Sequence, residues 1–316
     1  MSLLEESARR ITDRSVVLFF GAVDVGKTTL IRGLHEQVGG EVIDADLGQS
    51  EIGPPAVVSL GTYRNGPRAG YFVGDISPRG NFLQVLTGIR NMLSIATRPC
   101  LIDTDGYIGE GAALAFKSEM VNIVQPDLLV LIHRERELDY FKLYHHKGIE
   151  VIDLPVDHKG SKSREERIRA REEAFRQYFA GAELRSWRLE DVKFERALFG
   201  HGEALDTAAL SKVLGCPVLA AWRIGRKAVM VVGGFARAGA ARALSGIEQV
   251  DLIPSSETQG LLLGCSARGE FQGLGILKTI SNDRVELLTP VREATVLQAG
   301  SLLVKEDGTH TRLRLT

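Results

Sequence analysis

Eight residues near the N-terminus constrain this chain most: Gly21-Ala22-Val23-Asp24-Val25-Gly26-Lys27-Thr28 fits G-x-x-x-x-G-K-[S/T]. An apolar run at 15–20 precedes the motif, and a helix-like stretch at 29–38, stopped by Gly39-Gly40, follows it. In that strand–loop–helix setting the glycines let backbone N–H groups turn inward around phosphate oxygens, and the helix adds the positive end of its dipole. Lys27 is placed to reach the terminal phosphates and the Thr28 hydroxyl to ligate magnesium, with Thr29 completing the cradle. ATP and Mg²⁺ are the expected cofactors.

The rest of the first half alternates. Residues 41–45, 57–62, 71–73, 99–104, 127–133 and 150–154 read as strands, with a turn at Asn65-Gly66-Pro67, and 81–97 and 111–124 read as helices. This predicts an α/β fold: a P-loop NTPase-type, mostly parallel sheet flanked by helices. A charge-dense helix at 159–179 closes the first domain, taken as 1–182. Short alternating runs and turn glycines between 225 and 316 predict a smaller antiparallel β-rich domain, 183–316.

Acidic residues sit where such a sheet binds ligands, beyond the strand C-termini. Asp103 ends an apolar strand and is the expected acidic partner for magnesium. Asp44 and Asp46 end the second strand, beside the γ-phosphate position, where an acid can take a proton from an attacking hydroxyl. Gln49 follows a turn at Gly48 and can orient water or phosphate. The N-K-x-D run of guanine-binding GTPases and a dinucleotide G-x-G-x-x-G are both missing. On the charge-dense helix Arg164, Arg167 and Arg171 share one face, which could swing over a nucleotide and neutralise developing charge.

GAVDVGKTTL, DADLGQSEIGPP, FVGDISPRGN, LIDTDGYIGEG and the basic run SKSREERIRAREEAFRQYF occur here in one order. Together they resemble the P-loop 5′-hydroxyl polynucleotide kinases. That family includes the RNA kinase of the eukaryotic pre-mRNA cleavage machinery, the nucleolar pre-ribosomal RNA kinases, and shorter archaeal and bacterial relatives. The resemblance runs through residues 15–179 and more weakly into GLLLGCSARGEFQGLGIL. It implies transfer of the γ-phosphate of ATP to the free 5′-hydroxyl of RNA or DNA. Asp46 would be the general base, Lys27 would stabilise the transferring phosphoryl, and Thr28 would hold magnesium. Asp46 and Gln49 would organise the metal and phosphate site, and Ser77 would touch the nucleic-acid backbone. The lid arginines would grip the triphosphate, with Arg167 and Arg171 matching better than Arg164. Tyr107 stands where the family usually has a Trp that clasps the terminal nucleotide, and Asp75 where it commonly has His.

Composition narrows the rest. With 39 basic and 40 acidic residues there is no global basic field, so nucleic acid must meet a local groove. No stretch approaches the ~18 apolar residues of a membrane span. The N-terminus reads as neither signal nor transit peptide, and the expected location is cytoplasmic. The three cysteines match no zinc or disulfide spacing and read as buried thiols. His145, His146 and His158 read as surface residues. Two alternatives share the P-loop: a kinase for a small hydroxylated acceptor, and an ATP-bound scaffold of a processing complex. The sequence names no protein partner.

Overall fold

The computed structural model describes residues 3–109, 111–157, 160, 162–235 and 246–313, with side chains from Ser7 onward. It divides into two compact units, Met1–Ala174 and Phe175–Thr316.

The first unit begins with α1 (Leu3–Arg10), β1 (Val16–Gly21), α2 (Lys27–Val38) and β2 (Glu41–Ala45). A hairpin of β3 (Val57–Thr62) and β4 (Gly66–Phe72) follows, then α3 (Phe82–Ile95), β5 (Cys100–Thr104), α4 (Gly111–Val124) and β6 (Leu128–His133). A 3-10 helix (Asp139–Lys147), β7 (Glu150–Pro155) and α5 (Arg164–Phe179) complete it, the unit boundary falling within α5. The seven strands form one sheet in the order β4-β3-β2-β5-β1-β6-β7. β2, β5, β1, β6 and β7 run parallel, and the β3–β4 hairpin adds antiparallel strands at one edge. The mostly parallel sheet is the expected one.

Strand β1 is buried along its whole length because both faces are covered. Val16, Leu18 and Phe20 pack with Val85 and Ile89 of α3, Phe116 and Met120 of α4, and Phe141 of the 3-10 helix. Val17 and Phe19 pack with Ile31 and Leu34 of α2 on the other face. Each such side chain contributes about 1.5–3 kcal/mol on burial. The helices thus clamp β1, and the loop that leaves its C-terminal end inherits a rigid base.

Two sequence expectations need correction here. β4 starts at Gly66, five residues before the expected strand, because the turn closes at 63–65, where the Asn65 amide donates to Thr62 Oγ1 (3.1 Å). Pro67 is tolerated because β4 is an edge strand. The charge-dense helix starts at Arg164 rather than 159. Ser163 and Glu166 form a capping box there: Glu166 N donates to Ser163 Oγ (3.1 Å) and Ser163 N to Glu166 Oε2 (2.6 Å). His158 and Lys159 lie outside the described residues.

The second unit holds β8 (Glu183–Arg188), β9 (Lys193–Glu195), β10 (Glu203–Ala204), α6 (Thr207–Leu214), β11 (Val218–Ile224), β12 (Lys227–Val232) and β13 (Gln249–Pro254). It continues with α7 (Ser255–Thr258), β14 (Leu261–Ala267), β15 (Glu270–Ile280), β16 (Arg284–Thr289), β17 (Val296–Val304) and β18 (His310–Arg312). One sheet has the order β10-β11-β12-β13, the other β18-β17-β14-β15-β16-β8 with β9 beside β17. Pairing is antiparallel except for β12–β13 and β9–β17. The two sheets share a core that includes Trp222, Val231, Leu263, Leu287 and Leu297.

Candidate active site

The P-loop runs from the end of β1 into α2. Gly26 takes φ 85°, a left-handed value that favours glycine, and α2 begins without any side-chain cap. Its first amides therefore remain for an anion. From the β5 side Gly106 lies directly under the loop. A methyl group there would sit 2.5 Å from the Val23 backbone nitrogen, so only glycine lets the two segments approach this closely.

Parallel pairing then brings the acids in. β2 and β5 are adjacent with Asp44 opposite Asp103, and β5 also neighbours β1. Thr28 Oγ1 donates to Asp103 Oδ2 (2.7 Å), and Lys27 Nζ stands 3.7 Å from Asp103 Oδ1. Asp103 Oδ1 is buried and makes no hydrogen bond among the described residues.

The two acids ending β2 have different tasks. Asp44 is buried, and its Oδ2 accepts from Ser50 Oγ (2.8 Å), Glu51 N (2.7 Å) and Ile52 N (3.1 Å), while Oδ1 accepts from Asp46 N (3.1 Å). It holds the turn together. Asp46 uses Oδ1 for the Gly48 and Gln49 amides (both 3.0 Å) and lines a cavity of about 560 Å³ with Lys27, Thr28, Gln49 and Arg171. Burial raises the Asp46 carboxyl above its ordinary range while Lys27 pulls it down. Burial likewise raises Asp103, again opposed by Lys27, and raises Asp44, reinforced by Asp103. The three carboxyls thus share a buried setting in which Lys27 offsets the cost for Asp46 and Asp103. With the bare Asp103 Oδ1 and the Thr28 hydroxyl, this set of hard oxygens fits Mg²⁺.

The cavity is lined by Val23, Asp24, Gly26 and Thr29 from the P-loop side and by Glu166, Ala170, Arg171 and Ala174 of α5. Arg171 lies over the acid turn: a methyl group on Gly48 would be 3.5 Å from its Nη1 and 3.7 Å from Asp46 Oδ1. Arg167 bonds Asp24 (3.0 Å). Arg164 is exposed at the first helical position, outside the lining set. Gly21, Ala22 and Val25 carry the loop without lining the cavity. Ser77 sits on the loop between β4 and α3, its amide bonded to Asp75 Oδ1 (3.0 Å) and its Oγ to the Arg79 amide (3.2 Å). Asp75 thus has a turn-forming task. Tyr107 stacks near Phe82 (6.1 Å between centroids, 23°), with the Arg79 guanidinium 4.9 Å from its ring.

Sequence reasoning passed over Lys117. This α4 side chain has no exposure and donates to the Asp105 carbonyl (3.0 Å) and Oδ2 (3.2 Å), 5.2 Å from the centroid of Phe20. Asp105 Oδ1 in turn accepts the Tyr107 amide (2.8 Å). The signal was available: Ala113, Lys117, Met120, Val121 and Val124 share the buried stripe of one helix, and a lysine there needs an anion. Arg134, after β6, was also missed; its Nη2 donates to the P-loop carbonyls of Asp24 (2.9 Å) and Val23 (3.3 Å).

Residues 21–181 match the family model for the mRNA cleavage and polyadenylation factor CLP1 P-loop. A polyribonucleotide 5′-hydroxyl-kinase of Pyrococcus furiosus is 30% identical, the match spanning 93% of this chain and 89% of that protein. One from Pyrococcus horikoshii is 29% identical over 93% of this chain and 87% of its own. The solved wild-type Clp1p–Pcf11p (454–563) complex shares the fold, with a TM-score of 0.61 at 14% identity, covering 95% of this chain and 76% of that one. The family match begins at the first P-loop glycine and runs past the last residue of α5, taking in the nucleotide loop, the acid turn and the arginine helix. The chain belongs to the CLP1 P-loop family.

Proposed function

We propose that this chain is a polynucleotide 5′-hydroxyl kinase, transferring the terminal phosphoryl of ATP to the free 5′-hydroxyl of RNA or DNA. One observation carries the reading: Asp46 lines the same cavity as Lys27 and Thr28, so a proton acceptor faces the nucleotide cradle. Relatives named as polyribonucleotide 5′-hydroxyl-kinases, matching nearly end to end, support the acceptor class.

The Gly26–Thr28 amides and Lys27 hold the β- and γ-phosphates, as P-loops do. Asp46 takes the proton as the 5′-oxygen bonds to the γ-phosphorus and the bond to the bridging oxygen breaks, releasing ADP. Its two amide bonds fix the carboxylate through Oδ1. Lys27 and Arg171 take up charge on the transferring group. Thr28, Asp103, Asp46 and Gln49 would hold Mg²⁺, which supplies neutralisation of phosphate charge. Ser77 and Tyr107 would meet the acceptor's backbone and terminal nucleotide.

The test is a panel with γ-labelled ATP: oligonucleotides ending in 5′-hydroxyl or 5′-phosphate, beside mononucleosides. Label on the 5′-hydroxyl oligonucleotides alone is expected. Transfer only to mononucleosides, or ATP held unreacted with every acceptor, rejects the reading.

A further inference from the structure

The P-loop carries an anion that phosphate binding does not use. Asp24 sits at φ 59°, and its carboxylate, 12% exposed, faces the start of α5. Its Oδ2 accepts from Arg167 Nη1 (3.0 Å) and from the Lys162 amide (3.1 Å). The same Nη1 donates to the Lys162 carbonyl (2.9 Å), closing a ring of bonds. A carboxylate in a loop built for a triphosphate repels that ligand unless a cation neutralises it. Here the cation comes from the arginine helix, so loop and helix are tied by the charge each needs from the other.

We infer that Asp24 is a positioning residue for the reaction proposed above. It anchors Arg167 and the first turn of α5. Arg171, one helical turn further along the same face, is thereby seated over the Asp46–Gly48 turn, its Nη1 3.5 Å from where a methyl group on Gly48 would stand, in the cavity that Asp46 also lines. The two arginines then divide the work: Arg167 fixes the helix and Arg171 meets the transferring phosphoryl. Since an error of about 1 Å in a catalytic group costs on the order of 10²-fold in rate, loosening this anchor shows in turnover more than in nucleotide binding.

The test uses Asp24→Gly, which removes the carboxylate while suiting a positive φ, and Arg167→Gln, which cuts the tie from the other side. Each is expected to lower kcat for 5′-hydroxyl RNA by about tenfold or more, with ATP affinity unchanged or, for Asp24→Gly, tighter. In an Arg171→Gln background Asp24→Gly costs nothing further. Weakened ATP binding with normal kcat, or a full extra loss in the Arg171→Gln background, overturns the inference. Hydrogen exchange separates its failure from that of the kinase reading. Whatever the reaction proves to be, the Lys162 amide exchanges at least tenfold faster in Asp24→Gly while β1 amides stay protected. An unchanged Lys162 amide means that there is no anchor.

Discussion

Replacing Lys117 by Met is the sharpest test of how this site is supported. The ammonium has no exposure and the Asp105 side chain is 8% exposed, so the substitution strands a buried carboxylate. Removing one partner of such a pair costs about 3–5 kcal/mol. A cooperative unit of 150–250 residues shifts by about 2–4 °C per kcal/mol, so the first unit's melting temperature falls by about 6–20 °C. Differential scanning calorimetry reads this, the first unit's transition being the one that nucleotide raises. Adding Asp105→Asn to Lys117→Met removes the stranded charge, keeps an acceptor for the Tyr107 amide and restores at least half of the loss. A single variant melting within about 2 °C of the parent would refute the argument, because it would mean that Asp105 needs no counter-charge.

Gly106→Ala drives a methyl group into the Val23 backbone and displaces the P-loop; titration calorimetry should show nucleotide affinity reduced at least about tenfold, and parental affinity would contradict the packing described. A third prediction concerns acid stability. The Arg68 guanidinium, bonded to Glu41 through Nη2 (2.8 Å) and Nε, holds that carboxyl below its ordinary value. A lowered folded value means that the pair's contribution is complete above about pH 4.3 and is lost as pH falls through the folded value. Urea melts across that window should show a shallower acid-side loss for Arg68→Ala, and identical slopes would contradict it.

The first unit was largely legible because its signals are local. β2, β3 and α4 have the bounds that hydrophobic runs and glycines indicate, and the P-loop motif carries its own strand and helix. The acid turn was legible in composition but not in labour. That Asp44 binds the turn while Asp46 faces the cavity depends on amides of residues 48–52, which spacing does not reveal. The wheel grouped Arg164 with Arg167 and Arg171, yet a helix that starts at Arg164 leaves it at an exposed first turn. Asp24–Arg167 joins residues 143 positions apart in the chain, which only the packed fold brings together, and Lys117 meets Asp105 only once α4 folds back against the end of β5. In the second unit, turn glycines announced strands but not partners, so the two sheets and their parallel pairs emerged only from the fold.

The central claim is that Asp46 accepts the proton in phosphoryl transfer to a 5′-hydroxyl. Rapid-quench single turnovers with saturating ATP and a 5′-hydroxyl oligonucleotide test it directly in Asp46→Asn. The account predicts ATP affinity within about threefold of the parent and a transfer rate lower by about 10²-fold or more. Transfer at the parental rate would contradict it.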